Sequence, residues 1–92
     1  YYTPGTVNVG FDTYLEKTEF KEDKTEAEIE LTYYGEKDKI NLLCVMKENL
    51  DYCCTLDGKT LESESYEYSK GLLTLTLSIK DNEKHSISIH KI

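Results

Sequence analysis

The sequence predicts an all-β fold, an antiparallel β-sandwich of about seven short strands. Apolar and polar residues alternate with a period of two in several segments, which is the pattern of half-buried strands. Turn signals such as Asp57-Gly58 separate these segments, and no segment of helical length carries an apolar stripe. Seven short strands without a helix make a sandwich or a small barrel. The 92 residues are the length of one domain, residues 1–92, with one modest core.

The first half of the chain contains two alternating segments on either side of a charged stretch. Residues 7–11 alternate and predict a strand that is broken or bulged near Gly10. Residues 16–24 are dominated by Glu, Lys and Asp, which predicts a solvated loop or a sheet edge. Residues 26–33 alternate without a break, so a strand is favoured there over a helix.

The second half of the chain predicts five strands. Residues 40–46 are apolar on both faces, so this strand should lie inside its sheet. Residues 52–56 and 60–68 flank Asp-Gly, the signal for a two-residue type I′ hairpin turn. Residues 72–79 and 85–92 form the last two strands, and the antiparallel pairing follows from the hairpin order. The predicted core consists of Ile29, Leu31, Leu42, Cys44, Leu73, Leu75, Leu77, Ile87 and Ile89.

The charge balance limits the classes of partner. Eleven basic residues stand against 18 acidic ones, which gives a net charge of −7. Nucleic acids bind proteins through clustered Lys and Arg, and anionic membranes do the same, so neither is expected as a partner. The longest apolar run, residues 42–46, is far too short for a membrane span. A protein partner, with a basic surface, is the remaining expectation.

The three cysteines favour a reducing compartment. Cys44, Cys53 and Cys54 are odd in number, so they cannot form a complete set of disulfides within the chain. A cytoplasmic location is therefore favoured over a secreted one. One disulfide, from Cys44 to Cys53 or Cys54, is an alternative if the connection between their strands is tight.

No pattern in the sequence predicts a catalytic residue, a metal site or a cofactor. His85 and His90 are five residues apart, so they lie on opposite faces of one strand and cannot bind one metal together. Adjacent Cys53 and Cys54 diverge in the same way. There is no nucleophile motif and no glycine-rich phosphate loop. The chain is therefore expected not to be an enzyme.

The predicted binding surface is an acidic, tyrosine-bearing strand. Thr60, Glu62, Glu64, Tyr66 and Tyr68 have the spacing of one strand face, and the opposite face is too polar for a core, which indicates a sheet edge. Tyrosine is enriched at protein interfaces, and glutamate attracts a basic surface. The predicted protein-binding residues are Glu62, Glu64, Tyr66 and Tyr68.

The middle of the chain resembles a known family. Residues 40–50 lead through a short turn into residues 52–62, and the Leu-Thr-Leu segment at 71–77 follows. Over residues 26–80 this order is similar to that of the CS-domain family of p23-like and NudC-like co-chaperones. The resemblance implies a seven-stranded sandwich that binds chaperones or client proteins without catalysis. The alternative is a secreted or cell-surface immunoglobulin-like β-sandwich that binds a receptor or another macromolecule.

Overall fold

The structure is a computed structural model that describes residues 3–79 and 81–92, with the side chain of Ser63 left out. Over these residues the chain forms an all-β fold of two antiparallel sheets, as the alternation predicts. The strands are β1 (Val7–Val9), β2 (Thr13–Phe20), β3 (Glu26–Tyr33), β4 (Lys39–Val45), β5 (Tyr52–Leu56), β6 (Lys59–Thr60), β7 (Tyr66–Ser69), β8 (Leu72–Ser78) and β9 (Lys84–Lys91). A single 3₁₀ turn, Ser63–Ser65, precedes β7, and none of the described residues belongs to a helix that could cross a bilayer.

The two sheets divide the strands four to five. The smaller sheet has the order β1-β4-β8-β7, and the larger one has the order β2-β3-β9-β5-β6. Every pairing is antiparallel. The apolar strand β4 lies between β1 and β8, which confirms the interior position expected from its two apolar faces.

The core lies between the sheets. All nine residues predicted for it are buried, so that prediction is confirmed. The alternation of β3, β4, β8 and β9 points one apolar face of each strand into the same space. Tyr33, Met46, Tyr52 and Cys54 are buried there as well, and the two tyrosines are the largest of the buried side chains.

Two hairpins turn on paired residues with positive φ. Asp57 and Gly58 have φ of 51° and 86° and join β5 to β6, which confirms the predicted type I′ turn. Lys70 and Gly71 have φ of 50° and 86° and join β7 to β8 in the same way. At Gly71 a Cβ would also lie 2.6 Å from the carbonyl oxygen of Met46, so glycine is required there twice over.

Both alternatives predicted for the charged stretch at 16–24 occur, since residues 16–20 form a sheet edge and residues 21–24 form a turn. Residues 16–20 belong to β2, which pairs with β3 and forms one edge of the larger sheet. The strand forms because Leu15 and Phe20 pack against the core while the charged residues face water. A bulge at Glu16 interrupts the register, and its carboxylate accepts a hydrogen bond from the Thr32 hydroxyl at 2.8 Å. Charge and a bulge protect an exposed edge from unwanted pairing.

The segment Thr60–Tyr68 is not one strand, and that prediction is wrong. Strand β6 ends at Thr60 in the larger sheet, and β7 begins at Tyr66 in the smaller one. A 3₁₀ turn lies between them and is closed by a bond from Ser65 N to Glu62 O at 2.9 Å. The intervening Glu and Ser residues offer no apolar face that could hold a strand on either sheet. This split and the additional strand β2 bring the number of strands to nine.

Candidate interaction surfaces

The residues predicted to bind a partner do not share a face. Tyr66 and Tyr68 lie on β7 and point inward, half-buried against the core, while Glu67 between them points outward. Glu62 and Glu64 are exposed on the segment that crosses between the sheets. The expected edge position is confirmed for β7, which is the outermost strand of the smaller sheet. The role of these residues in binding a partner remains a prediction, but their common acidic and aromatic face does not exist.

Tyr68 is held by another tyrosine from the opposite sheet. Its ring meets that of Tyr52 edge-on, with the centroids 5.6 Å apart. The Tyr52 hydroxyl donates a hydrogen bond to the carbonyl oxygen of Lys47 at 2.7 Å. The Tyr68 hydroxyl is buried and has no hydrogen-bond partner among the described residues. Tyr68 therefore acts through packing rather than through its polar atom.

His85 lies in a polar cluster that the sequence does not reveal. Its Nδ1 lies 2.5 Å from Oδ2 of Asp57 in the β5–β6 turn, and its Nε2 lies 2.7 Å from Oδ1 of Asp81 before β9. Asp57 also accepts a hydrogen bond from the backbone N–H of Ser86 at 2.9 Å. The His85 side chain is only 16% exposed, because the two carboxylates and the sheet cover most of its ring. The signal was missed because Asp57 is 28 residues away in the chain.

The His85 cluster favours the charged imidazolium. The hydrogen bond to Asp57 raises the pKa of His85, partial burial opposes the rise, and Asp81 adds to it. Burial alone would raise the pKa of Asp57, but the hydrogen bonds from His85 and Ser86 lower it, and the His85 bond also lowers the pKa of Asp81. The two ring nitrogens point to separate carboxylates, so these three residues cannot enclose one cation. Their arrangement ties the β5–β6 turn to the start of β9.

A second feature is a group of exposed aromatic side chains, the aromatic corner, formed by Phe11, Tyr14 and Tyr34. Phe11 is fully exposed, and Tyr14 and Tyr34 are 59% and 61% exposed. The break predicted near Gly10 is confirmed, and Phe11 lies beyond it rather than on the apolar face that Val7 and Val9 share. Strand β1 ends at Val9, and Phe11 lies at the tip of a turn closed by a bond from Thr13 N to Gly10 O.

The backbone holds the aromatic corner together. Tyr14 is paired with Thr32, and the ladder is extended by a bond from Tyr34 N to Asp12 O at 2.8 Å. Tyr14 and Tyr34 are therefore diagonal neighbours on the outer face, which places their Cα atoms about 7–8 Å apart. Phe11 directly precedes Asp12, at the end of the same ladder. Three large apolar side chains thus project from one end of the molecule.

A small cleft opens beside the aromatic corner, at the end of the sandwich. Asp12, Tyr33, Lys37 and Asn41 are among its lining residues, and its volume is about 180 Å³. Pockets for drug-sized ligands measure about 300–1,000 Å³, so this cleft admits a side chain or a few waters. The Tyr33 hydroxyl accepts a hydrogen bond from the backbone N–H of Lys37 at 2.8 Å, and this bond holds the two residues together in the wall of the cleft.

The cysteines are three free thiols in different surroundings. Cys44 lies on β4 of the smaller sheet, and Cys53 and Cys54 lie on β5 of the larger sheet. Strands β4 and β5 therefore do not form the tight hairpin that a disulfide between Cys44 and Cys53 or Cys54 would need. Burial raises the pKa of Cys44 to about 12, and the nearby Cys54 adds to the rise. Burial likewise raises the pKa of Cys54 to about 12. Cys53 faces outward from β5 and is half-buried, opposite His90 on β9.

Comparison of the chain with family models, with curated protein sequences and with solved structures finds no match. Within residues 3–79 and 81–92, no three His, Cys, Asp or Glu side chains converge as a metal site requires. Function must therefore be inferred from the contacts and exposures of this chain.

Proposed function

We propose that this chain is a non-enzymatic protein-interaction module that anchors its partner through the aromatic corner. The exposure of Phe11 is the observation that carries the proposal. Burying a phenylalanine side chain contributes about 1.5–3 kcal/mol, and the fold does not gain that contribution from Phe11. Exposed Tyr and Phe grouped on a rigid backbone are typical of interface anchors.

The charges beside the aromatic corner define the partner. Residues 10–16 and 33–39 contain four carboxylates and two lysines, which gives a local net charge of 2 − 4 = −2 within a chain of −7. A protein with an apolar pocket and a basic rim would complement this surface in shape and sign. The resemblance to CS domains favours a molecular chaperone among such partners, which is part of the proposal.

Three observations support binding rather than catalysis. Both ring nitrogens of His85 are engaged by carboxylates, so neither is free to move a proton for a substrate. The thiols of Cys44 and Cys54, with pKa values of about 12, are protonated at neutral pH and are poor nucleophiles. The cleft beside the aromatic corner is smaller than an ordinary substrate pocket, and the larger space of about 410 Å³ beside Phe20 and Ala27 is an open groove on the β2–β3 edge.

The proposal is tested by comparative affinity capture. Immobilised wild-type chain, the double variant Phe11→Ser/Tyr34→Ser and the control Ile92→Ser are incubated with the same cell extract and with a purified chaperone. Ile92 is the matched control because it is 84% exposed and apolar and lies beyond the opposite end of the larger sheet. Circular dichroism first checks that all three chains fold alike.

A protein captured by wild type and Ile92→Ser but lost from the double variant supports the proposal. Its association rate should fall with added salt, since exposed charges are screened beyond about 10 Å at 0.1 M ionic strength. Equal capture by all three chains, or loss with Ile92→Ser alone, would place the interface elsewhere.

A further inference from the structure

The outer faces of the two sheets differ in charge. The outer face of the larger sheet carries Glu19, Glu26, Glu28, Glu30, Lys17 and Lys84. Ion pairs connect Glu30 to Lys17 at 3.8 Å and to Lys84 at 3.4 Å, as expected for a solvated surface. The outer face of the smaller sheet, here the neutral face, is formed by Asn8, Lys39, Asn41, Leu43, Val45, Glu67, Ser69, Leu72, Thr74, Thr76 and Ser78. Lys39 and Glu67 are the charged residues among these strand positions.

One end of the neutral face is apolar. Leu43 and Leu72 are half-buried there, and Val45, whose backbone N–H donates to the carbonyl oxygen of Thr6, is buried outside the core cluster. Its polar residues are neutral, and a bond from Thr76 Oγ1 to Asn41 Oδ1 at 3.2 Å links two of them. Depletion of charge next to exposed apolar side chains distinguishes interface cores from ordinary surface. In a chain with 32% charged residues this composition requires an explanation.

We propose that the neutral face docks on the same face of a second copy of this chain, in a two-fold dimer. The argument is charge complementarity within the face. Glu67 lies opposite Thr74, which lies opposite Leu43, and Lys39 is four residues before Leu43 on β4. With strands about 4.8 Å apart and about 3.3 Å per residue, Lys39 and Glu67 lie about 16 Å apart at opposite corners.

A two-fold axis midway between those corners satisfies both charges at once. It places Lys39 of each copy opposite Glu67 of the other, so the interface has two reciprocal ion pairs and no net charge. The same strand spacing and rise per residue place this axis beside Leu43. The Leu43 side chains of the two copies therefore meet across the axis. In each copy the acidic outer face of the larger sheet then points away from the contact. This limits the electrostatic repulsion between two chains that each have a net charge of −7.

The size of the neutral face sets the expected affinity. Four strands of three to seven residues cover at most roughly 15 Å by 20 Å, which is below the roughly 800 Å² per partner of a standard stable interface. The dimer should therefore be weak, with a Kd of about 10 μM to 1 mM, in the range of transient complexes. Its observation requires concentrations up to about 1 mM.

Sedimentation equilibrium of the wild-type chain and of charge-exchange variants tests the dimer. Lys39→Glu and Glu67→Lys should each weaken the dimer roughly 2- to 30-fold, because each change sets like charges opposite one another twice. The double variant Lys39→Glu/Glu67→Lys should restore it. The matched control exchanges Glu30 and Lys84 on the outer face of the larger sheet and should leave the Kd unchanged.

A further variant, Leu43→Lys, places two lysines together at the axis and should abolish dimerisation. Thermal unfolding confirms that each variant is folded, and Phe11→Ser/Tyr34→Ser should dimerise as wild type does. A wild-type chain that stays monomeric at about 1 mM would overturn the proposal. So would a dimer that is insensitive to Leu43→Lys, or one weakened by both single charge changes but not restored by the double variant.

Discussion

Removing the hydroxyl group from two touching tyrosines should change stability in opposite directions. In Tyr68→Phe the lost oxygen is buried without a hydrogen-bond partner among the described residues, and an unsatisfied buried polar group costs about 1–3 kcal/mol. In Tyr52→Phe the lost hydroxyl donates to the Lys47 carbonyl, and such a bond contributes about 0.5–1.5 kcal/mol. Tyr68→Phe should therefore stabilise the fold and Tyr52→Phe should destabilise it. The free energies of unfolding of the two variants should differ by roughly 1.5–4.5 kcal/mol.

The comparison is made by urea unfolding, followed by circular dichroism, of wild type and both variants. Each variant keeps the ring and its edge-on contact, so the change in the free energy of unfolding reports the loss of the hydroxyl group alone. For a domain of this length, 1 kcal/mol shifts the melting temperature by about 4–8 °C, so thermal unfolding provides an independent check. A Tyr68→Phe variant that loses as much stability as Tyr52→Phe would show that the Tyr68 hydroxyl is bonded in solution, and the reasoning would fail.

Three further predictions concern the core, the histidine cluster and the thiols. Leu75→Ala removes a fully buried side chain and should cost about 2–5 kcal/mol in urea unfolding; a loss below about 1 kcal/mol would contradict its central position. The raised pKa of His85 means that its stabilising contribution is complete below about pH 6.5 and is lost as the pH rises through that pKa. His85→Gln should therefore narrow the stability difference between pH 6 and pH 9, and a variant that keeps the wild-type difference would contradict the cluster. In the folded chain only the Cys53 thiol should react with a disulfide reagent, whereas all three thiols should react in urea. Rapid reaction of folded Cys53→Ser would refute the burial of Cys44 and Cys54.

The strands that build the core could be predicted because their residues report burial directly. In β3 and β8 each apolar residue alternates with a polar one, and a one-residue shift would turn the whole apolar set toward water. The turn at Asp57-Gly58 was equally readable, since few residues adopt positive φ at two successive positions. For residues 16–24 the sequence could not decide between an edge strand and a loop, because charged residues fill one side of an edge strand as readily as a loop.

The candidate surfaces were less predictable because they depend on contacts between distant parts of the chain. The spacing of Tyr66 and Tyr68 fits an exposed strand face, but the sequence does not show that the chain changes sheets just before them. Phe11 continues the alternation of β1, yet the turn that begins at Gly10 carries it into solvent. The partners of His85 come from two separate turns, and no spacing rule brings them together.

The position of β9 decides when the larger sheet can form. This strand is the middle one of five, between β3 and β5, although it comes last in sequence among the nine described strands. During synthesis, β2 pairs with β3 and β5 with β6 as separate hairpins, and isolated two-stranded hairpins are marginally stable in water. They can join only after residues 84–91 have left the ribosome and inserted between them. Long-range strand pairing of this kind takes milliseconds to seconds. Until β9 inserts, the unpaired edges of β3 and β5 are exposed and can aggregate.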